Sequence, residues 1–286
     1  MLPTVLVYGI LWTAINSLIA IGFYLIFSVA QILNLAHGMI IVGGCYAVYV
    51  LAAMVKLPLA VSVVGGILST VLILLIIYLC FIKRLFSAPH SSMLLVTAGL
   101  AMIMEQIIIL TVGPDTKFVP SMVTGSSKIL GVGVSNQGLL TVCIAFSVIA
   151  LLMLFLKHTK EGRAIRATSQ DRDVAVMSGI NIEEIYWMAV IIAGMLAGIA
   201  GVLVAPIQTL TPKAGWEMMI TAFTATILGG LGGPIWGVVL AAAIVAFIEL
   251  FTAFMIGPAI KEAAAFLILI LTLMFKPSGL FGKRRA

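Results

Sequence analysis

Charge is scarce in this sequence: only 9% of its 286 residues are Asp, Glu, Lys or Arg, whereas 63% are hydrophobic. Soluble globular domains carry roughly 25% charged residues, so this composition excludes a soluble globule. Several apolar runs reach the roughly 20 residues that cross about 30 Å of hydrocarbon as a helix. We therefore predict an all-α polytopic membrane protein whose residues 1–286 form a single transmembrane domain.

Clusters of catalytic and metal-binding residues are also missing. The three cysteines, Cys45, Cys80 and Cys143, lie within apolar runs without metal-ligand spacing, and we interpret them as small packing residues. No grouping of serine, histidine and acid is suggested, and the sequence has no Gly-x-x-x-x-Gly-Lys-Ser/Thr motif. We expect no enzymatic activity, metal or cofactor in this chain, so any nucleotide-driven work must come from a separate subunit.

Nine apolar segments are candidate spans: 5–29, 38–55, 61–82, 91–112, 137–157, 186–205, 216–232, 235–256 and 260–276. The 38–55 segment is short and is entered through the polar residues Asn34 and His37. Nine full spans place Met1 outside, whereas eight place it inside if this segment turns back. We expect eight to nine membrane-spanning helices, with a broken helix near residues 31–38.

Lysine and arginine decide the orientation. If the charged loop 157–185 is cytoplasmic and the spans alternate, eleven of the 16 basic residues lie inside, as the positive-inside rule requires. The inner set is Lys83, Arg84, Lys157, Lys160, Arg163, Arg166, Arg172, Lys276, Lys283, Arg284 and Arg285, and the outer set is Lys56, Lys117, Lys128, Lys213 and Lys261. The C-terminus is then cytoplasmic, and the net charge of +6 does not indicate nucleic-acid binding.

The longest charged stretch, residues 157–184, holds ten of the 26 charged residues. Its periodicity predicts one short surface helix with Arg163 on the polar face, ending at Gly179. Asn181, with Glu184 three residues later, is typical of the N-cap of the next helix. The alternative is an ordinary cytoplasmic loop, since charge runs are often solvated faces.

Polar residues within the apolar segments are candidates for a solute pathway. Asn34, His37 and Gly38 suit a broken helix whose free backbone groups face a cavity. A lone histidine at a helix end is otherwise a cap or a packed interface residue. The hydroxyl of Thr224, like those of Thr221 and Thr226, either bonds to the preceding helical turn, which is the simpler expectation, or lines a wet path.

Small residues predict two further features. Gly229, Gly230, Gly232 and Gly233 lie between two apolar runs and predict either a static tight turn or a hinge between moving spans. Two rows of small residues in the 186–205 segment predict close helix packing. These rows are Ala189, Ala193, Ala197 and Gly201, and Gly194 and Gly198.

Two carboxylates, Glu105 and Glu249, fall inside candidate spans, where an ionisable group costs about 2.5 to 3.5 kcal/mol on insertion scales. The simpler interpretation is that each faces the bundle and is satisfied by neighbouring helices. A proton relay is the alternative, but it needs a chain of such groups, which the sequence does not show.

Several motifs are specific by their combined order and spacing. They are residues 34–38 with Gly43; Gly113, Pro114 and Asp115; 162–167 with Asp171, Ala175 and 179–181; Ala197, Gly198 and Gly201; 222–225 with Leu228, Gly229, Gly230 and Gly232; and Lys276, Pro277 and 279–282. Together they resemble the permease family of branched-chain amino acid ABC importers over nearly the whole chain. Met39 departs from the family pattern, in which an acid commonly follows the histidine and glycine, and this leaves the pathway chemistry and the substrate open.

The resemblance implies a subunit of the bacterial inner membrane that imports branched-chain or related amino acids. Its implied partners are a second, similar permease, two cytoplasmic ATPases that bind ATP and Mg, and a periplasmic solute-binding protein. The charged loop would be the coupling segment held in a cleft of the ATPase. The residues implied in this coupling are Gly162, Arg163, Arg166, Asp171 and Gly179.

Relatives of the family also move urea, short amides and other carboxylates, so the solute is not fixed, and neither is pairing with a different permease or a second copy. The rival hypothesis is an ion-coupled secondary transporter or channel for a small polar solute, supported only by Glu105 and Glu249. An intramembrane enzyme is a weaker rival because no catalytic cluster is evident.

Overall fold

A computed structural model describes residues 2–86, 88–257, 260–276 and 278–282. Within these residues the chain forms eleven α-helices and one two-stranded sheet. The helices are α1 (Leu2–Ala30), α2 (His37–Tyr49), α3 (Leu59–Cys80), α4 (His90–Val112), α5 (Asn136–His158), α6 (Lys160–Gln170), α7 (Arg172–Met177), α8 (Ile182–Val204), α9 (Ala214–Gly229), α10 (Ile235–Met255) and α11 (Lys261–Phe275), and the strands are β1 (Ser126–Ile129) and β2 (Val132–Ser135).

Seven helices in the described part of the chain are long and apolar enough to cross a membrane. They are α1, α2 with its π-helical continuation Val50–Met54, α3, α4, α5, α8 and α10. The chain is therefore a multi-pass helical membrane protein. Helix length does not reproduce the predicted eight to nine spans, because α9 has only 16 residues and α11 only 15.

Helix α1 lies at the centre of the bundle. It is buried along most of its 29 residues and packs against α5, α8, α9 and α10. A helix that is apolar on all sides lacks a solvated face and is stable only where protein or lipid surrounds it. The N-terminal segment is thus the core around which the other helices pack.

The small residues of α8 confirm the predicted close packing. A Cβ added to Gly198 would lie 2.7 Å from the Cα of Ile67 in α3, and one added to Gly201 would lie 2.7 Å from the carbonyl oxygen of Ile41 in α2. Ala193 is fully buried in the same helix. The glycines therefore let the backbones of α2 and α3 approach α8 more closely than any other residue would allow.

Contacts at the two ends of α1 define two faces of the bundle. Near its start, the Tyr8 hydroxyl donates to the carbonyl oxygen of Gly133 at 3.2 Å, so the β1–β2 turn lies here, on what we call the hairpin face. Near its end, the Tyr24 hydroxyl donates to the carbonyl of Gly233 at 2.5 Å, and Tyr24 shares a cavity with Arg166 of α6. We call this end, which carries α6 and α7, the charged face. Helix α1 therefore runs from the hairpin face to the charged face.

The all-α prediction missed the antiparallel hairpin formed by β1 and β2. Ile129 pairs with Val132, and Ser126 pairs with Ser135, across a turn in which Leu130 and Gly131 both have positive φ. The hairpin lies in the connection between α4 and α5. Four-residue strands in a segment rich in glycine and serine give little periodic signal in a sequence.

Candidate functional site

The predicted helix break lies between α1 and α2. Gln31 has a φ of 55°, and the side-chain oxygen of Asn34 accepts a hydrogen bond from the Ala36 amide at 3.1 Å. The His37 amide donates to the Asn34 carbonyl at 3.1 Å, which closes the turn before α2. The His37 Nε2 atom lies 3.3 Å from the carbonyl oxygen of Ile19, so α2 begins beside the middle of α1, inside the bundle.

The charged stretch forms two short helices, α6 and α7, and the prediction of one helix was wrong. Thr159 caps α6 by accepting from the Gly162 amide at 2.9 Å. Asp171 has an extended backbone, and its Oδ1 accepts from the amides of Asp173 and Val174 at 3.0 and 3.1 Å. This carboxylate therefore ends one helix and starts the next, because an aspartate N-cap satisfies amides that a new helix leaves free.

Glycines fix both ends of this pair of helices. Gly162 is buried, and a Cβ there would lie 2.5 Å from the Cα of Leu156, so α6 packs directly on the last turn of α5. Gly179 follows α7 with a φ of +80°, a conformation that favours glycine. The predicted N-cap at Asn181 is confirmed: its Oδ1 accepts from the Glu183 amide at 3.2 Å.

Helix α7 exposes apolar side chains although it is too short to cross a membrane. Val174 is 56% exposed, Val176 53% and Met177 85%, whereas Ala175 is buried. We call the three exposed residues the α7 apolar surface. This surface was not predicted, because the prediction rested on the polar residues of the charged stretch. The short apolar run of residues 174–177, Val-Ala-Val-Met, could have predicted it. An exposed apolar surface of this kind outside a span marks a contact with another protein or with the membrane surface.

Both arginines of α6, Arg163 and Arg166, are exposed. Of the two, Arg166 lines the charged-face cavity described below. Beside this region, Lys83 after α3 pairs with Glu183 at the start of α8. This exposed pair joins two elements at the charged face, although surface ion pairs contribute at most about 1 kcal/mol each.

The four predicted pathway residues are enclosed by protein. Asn34, His37 and Thr224 have no exposed surface, and Gly38 is pressed against the carbonyl of Gly215. Thr224 lies 3.5 Å from the carbonyl oxygen of Ala265 in α11, so its hydroxyl does not face an open path. These residues mark where α2 and α9 pack inside the bundle, and their place in a pathway stays a prediction.

The threonines of α9 bond to other helices, so the expected bonds to the preceding turn were wrong. Thr221 donates to Oε1 of Glu249 in α10 at 3.0 Å, and Thr226 donates to the carbonyl of Ala20 in α1 at 3.3 Å. A sequence pattern shows that a hydroxyl is present on a helix, but the packing of neighbouring helices decides which acceptor it meets. Helix α9 is thereby tied to α1 and α10.

The starts of α2 and α9 meet inside the bundle. A Cβ added to Gly215 would lie 3.0 Å from the Cα of Met39, which leaves room for glycine alone. The neighbouring Trp216 donates its Nε1–H to Oε2 of Glu105 in α4 at 2.8 Å. The sequence carries no signal for this contact, since Trp216 lies 111 residues from Glu105 and belongs to none of the motifs.

Both membrane carboxylates have partners on neighbouring helices, which confirms the simpler of the two interpretations. Glu105 accepts from Trp216, and Glu249 accepts from Thr221. Glu249 is only 5% exposed and shares a cavity of about 30 Å³ with Asn16 and Lys261. That volume holds little more than one water molecule.

The glycine cluster after α9 forms a closely packed turn. Gly230 and Gly232 have φ values of +102° and +72°, and a Cβ at Gly229 would lie 2.8 Å from the Cα of Val238. The Leu280 amide donates to the Leu228 carbonyl at 2.7 Å, so the C-terminal segment packs onto this turn. This geometry favours the static turn, and a hinge stays a prediction.

A cavity of about 500 Å³ opens at the charged face, and we call it the charged-face cavity. It lies between α1, α5, α6, the start of α10 and the C-terminal segment. Its lining residues are Tyr24, Leu25, Ser28, Met153, Leu156, Lys157, Ile165, Arg166, Ser169, Gln170, Gly232, Gly233, Pro234, Ile235, Trp236 and Phe281. Most of the wall is apolar, and the two charged residues among those lining it are both basic.

The amino-acid sequence is similar to known proteins over nearly its whole length. Residues 5–275 match the family model described as branched-chain amino acid transport system, permease component. The chain is 29% identical to the high-affinity branched-chain amino acid transport system permease protein BraD of Pseudomonas aeruginosa, over 97% of this chain and 95% of BraD. It is 26% identical to the corresponding protein LivH of Salmonella typhimurium, over 96% of this chain and 94% of LivH.

The fold is also similar to a solved structure. PsaBC from Streptococcus pneumoniae, in complex with Fab, aligns with a TM-score of 0.55 at 12% identity. The alignment covers 95% of this chain and 91% of that chain. At this identity the likeness concerns the fold alone.

Proposed function

Since the chain belongs to the family of permease components of branched-chain amino acid transport systems, we propose that it is the membrane subunit of an ATP-driven ABC importer. The solute is a branched-chain or related amino acid, and transport proceeds by alternating access. BraD and LivH, which carry branched-chain amino acid transport in their names, align with this chain over nearly their full length. This full-length similarity supports the choice of solute class.

The α7 apolar surface is the observation that carries this proposal. Val174, Val176 and Met177 are exposed on the capped helix α7, where no other described part of the chain covers them. Burying a large apolar side chain gains about 1.5 to 3 kcal/mol, so a protein cleft that accepts this surface gains affinity from it. The occupant is an ABC ATPase, and the polar residues Arg163, Arg166 and Asp171 border the contact.

The orientation and the partners follow from this assignment. The charged face is cytoplasmic, the hairpin face is periplasmic and the C-terminus is inside the cell. A second permease subunit, two cytoplasmic ATPases and a periplasmic solute-binding protein complete the importer in the bacterial inner membrane. ATP and Mg bind to the ATPases, because this chain has no P-loop sequence.

Nine passes are consistent with this orientation. Helix α1 runs from the hairpin face to the charged face, as nine passes require of the first span. Helices α9 and α11 then cross as short helices, of which α9 is extended by the loop 205–213. Irregular backbone at membrane depth is tolerated where protein buries it, as around Gly38 and Gly215.

The test replaces Met177 by Glu in the assembled transporter. A carboxylate on the α7 apolar surface is expected to lower both solute-stimulated ATP hydrolysis and uptake about tenfold or more, because burying a charge in the contact costs at least about 1.4 kcal/mol. The solute-binding protein should retain its affinity for the amino acid. Met177→Leu is the matched control, since it keeps an apolar side chain of similar volume on the α7 apolar surface. Normal uptake by Met177→Glu, or an equal loss in Met177→Leu, would remove the coupling assignment.

A second candidate function rests on Glu249. A buried carboxylate next to Lys261, with a cavity the size of a water molecule, is the kind of group that couples transport to an ion gradient. The two functions respond differently in proteoliposomes. An ion-coupled carrier stops when an uncoupler collapses the gradient, whereas the importer stops when ATP is removed.

A further inference from the structure

The charged-face cavity brings together two basic residues, of which Arg166 also borders the proposed ATPase contact and Lys157 has no role in it. Lys157 and Arg166 both line it, no acidic side chain is among its lining residues, and neither forms an ion pair within the described part of the chain. Two uncompensated cations at one concave site attract an anion more strongly than they do on a flat surface, because low-dielectric walls focus the field.

The start of α10 adds to this positive potential. Residues Gly232 to Trp236 line the cavity, and α10, a helix of 21 residues, begins at Ile235. The first amides of a helix lack partners within the helix, and they carry a partial positive charge. Ser28 and Ser169 bring hydroxyl groups to the same wall. The donors and charges are therefore those of a site for a phosphate or a similar oxyanion.

The walls of the cavity identify the rest of the ligand. Leu25, Met153, Leu156 and Phe281 give it a large apolar surface, and Trp236 is half exposed at its edge. Small inorganic anions do not need such walls, whereas an acyl chain does. The volume of about 500 Å³ suits a lipid headgroup with the first part of a chain, since small-molecule sites measure about 300 to 1,000 Å³.

The cavity also lies at the right depth for a lipid. Lys157 is in the last turn of α5, and Trp236 is in the first turn of α10, so the cavity lies where membrane-crossing helices reach the charged face. Tryptophan is enriched at this boundary of membrane proteins, and basic pockets between helices on the cytoplasmic side bind anionic headgroups.

We infer that the charged-face cavity binds an anionic phospholipid of the adjacent leaflet, with its phosphate held by Lys157 and Arg166. A free oxyanion has the same phosphate chemistry but has no acyl chain to contact the apolar walls. Arg166 belongs to α6, which packs on α5 and is followed directly by α7. The lipid is therefore positioned to stabilise these two short helices. The inference concerns binding alone and stands independently of ATP-driven transport.

The experiment measures lipid binding to the detergent-solubilised transporter by native mass spectrometry. Phosphatidylglycerol is the anionic probe and phosphatidylcholine the zwitterionic one, both in wild type and in Lys157→Gln/Arg166→Gln. Each basic residue near a membrane surface contributes about 5-fold to anionic lipid binding, so the double variant should bind phosphatidylglycerol roughly 25-fold more weakly. Phosphatidylcholine binding should not change.

Two controls separate this site from general charge and from misfolding. Lys56→Gln/Lys128→Gln removes the same charge from exposed positions outside this cavity and should leave binding as in wild type. Arg166→Lys keeps the charge and should retain most of the affinity, which shows that the cavity is still folded. Equal losses in both double variants, or wild-type binding in Lys157→Gln/Arg166→Gln, would overturn the inference.

Inorganic phosphate and glycerol 3-phosphate serve as the soluble probes. They should displace phosphatidylglycerol only at concentrations far above that of the lipid, because they cannot contact the apolar walls. Trp236→Ser should weaken phosphatidylglycerol binding and leave binding of inorganic phosphate unchanged. If the soluble anions bind as tightly as the lipid, and Trp236→Ser weakens neither, the site is one for a free anion and the lipid assignment is wrong.

Discussion

Replacing Gly198 by Ala is the sharpest test of how the bundle is held together. The added Cβ would lie 2.7 Å from the Cα of Ile67 and 3.2 Å from its carbonyl oxygen, both backbone atoms. An ordinary contact is at least about 3.4 Å, so α3 must move away from α8 by roughly 0.7 Å or the two helices must slide. The same Cβ would overlap the Thr70 hydroxyl oxygen, so it also displaces the hydroxyl that donates to the Gly194 carbonyl at 2.9 Å.

The magnitude follows from three terms. Overpacking costs about 1 to 3 kcal/mol, and loss of a hydrogen bond costs about 1 kcal/mol more. Alanine returns about 0.5 to 1 kcal/mol, because glycine is the poorer helix former. Gly198→Ala is therefore expected to lower stability by about 1 to 3 kcal/mol, which for a domain of 150 to 250 residues corresponds to roughly 2–4 °C in Tm per kcal/mol.

The assay is thermal unfolding of the full chain in detergent, compared with Gly99→Ala as the matched control. Gly99 lies in α4, and a Cβ there would meet nothing within 4 Å. Both variants gain the same helix propensity, and only Gly198→Ala meets a neighbouring backbone. A Tm for Gly198→Ala equal to or above that of Gly99→Ala would refute the close contact between α3 and α8.

Three further outcomes are expected. Asp171→Ala removes the N-cap of α7, which should cost that helix about 1 kcal/mol and reduce ATP-coupled uptake. Asp171→Asn retains the cap and should transport nearly as wild type. Equal uptake by the two variants would contradict this expectation. Glu249→Leu leaves the Thr221 hydroxyl without its acceptor and should lower the Tm by several °C. Glu249→Gln keeps an acceptor and should lower the Tm less. The reverse order of the two Tm values would refute the contact. Trp216→Phe removes the donor to Glu105 and should destabilise by about 1 kcal/mol. A double-mutant cycle with Glu105→Leu, which removes the acceptor, should show a coupling energy, since additive effects would mean no direct bond.

The sequence predicted best what depends on local composition and period. The membrane class, the helix break before His37, the packing glycines of α8 and the cap at Asn181 were all confirmed, because each follows from residues within a few positions of one another. The predicted single helix failed at Asp171, because its side chain accepts from the amides of Asp173 and Val174 and so starts a new helix. This choice depends on one residue, and a window average over the charged stretch did not resolve it.

Apolar composition alone determined that this chain lies in a membrane, and the order of its weak motifs determined its family. Only the tertiary structure decided that Glu105 meets Trp216, that Thr221 meets Glu249 and that Lys157 and Arg166 line the same cavity. Burial in lipid is a property of each segment by itself, so the sequence carries it directly. Contacts between residues far apart depend on how the helices pack together, and that arrangement belongs to the whole bundle.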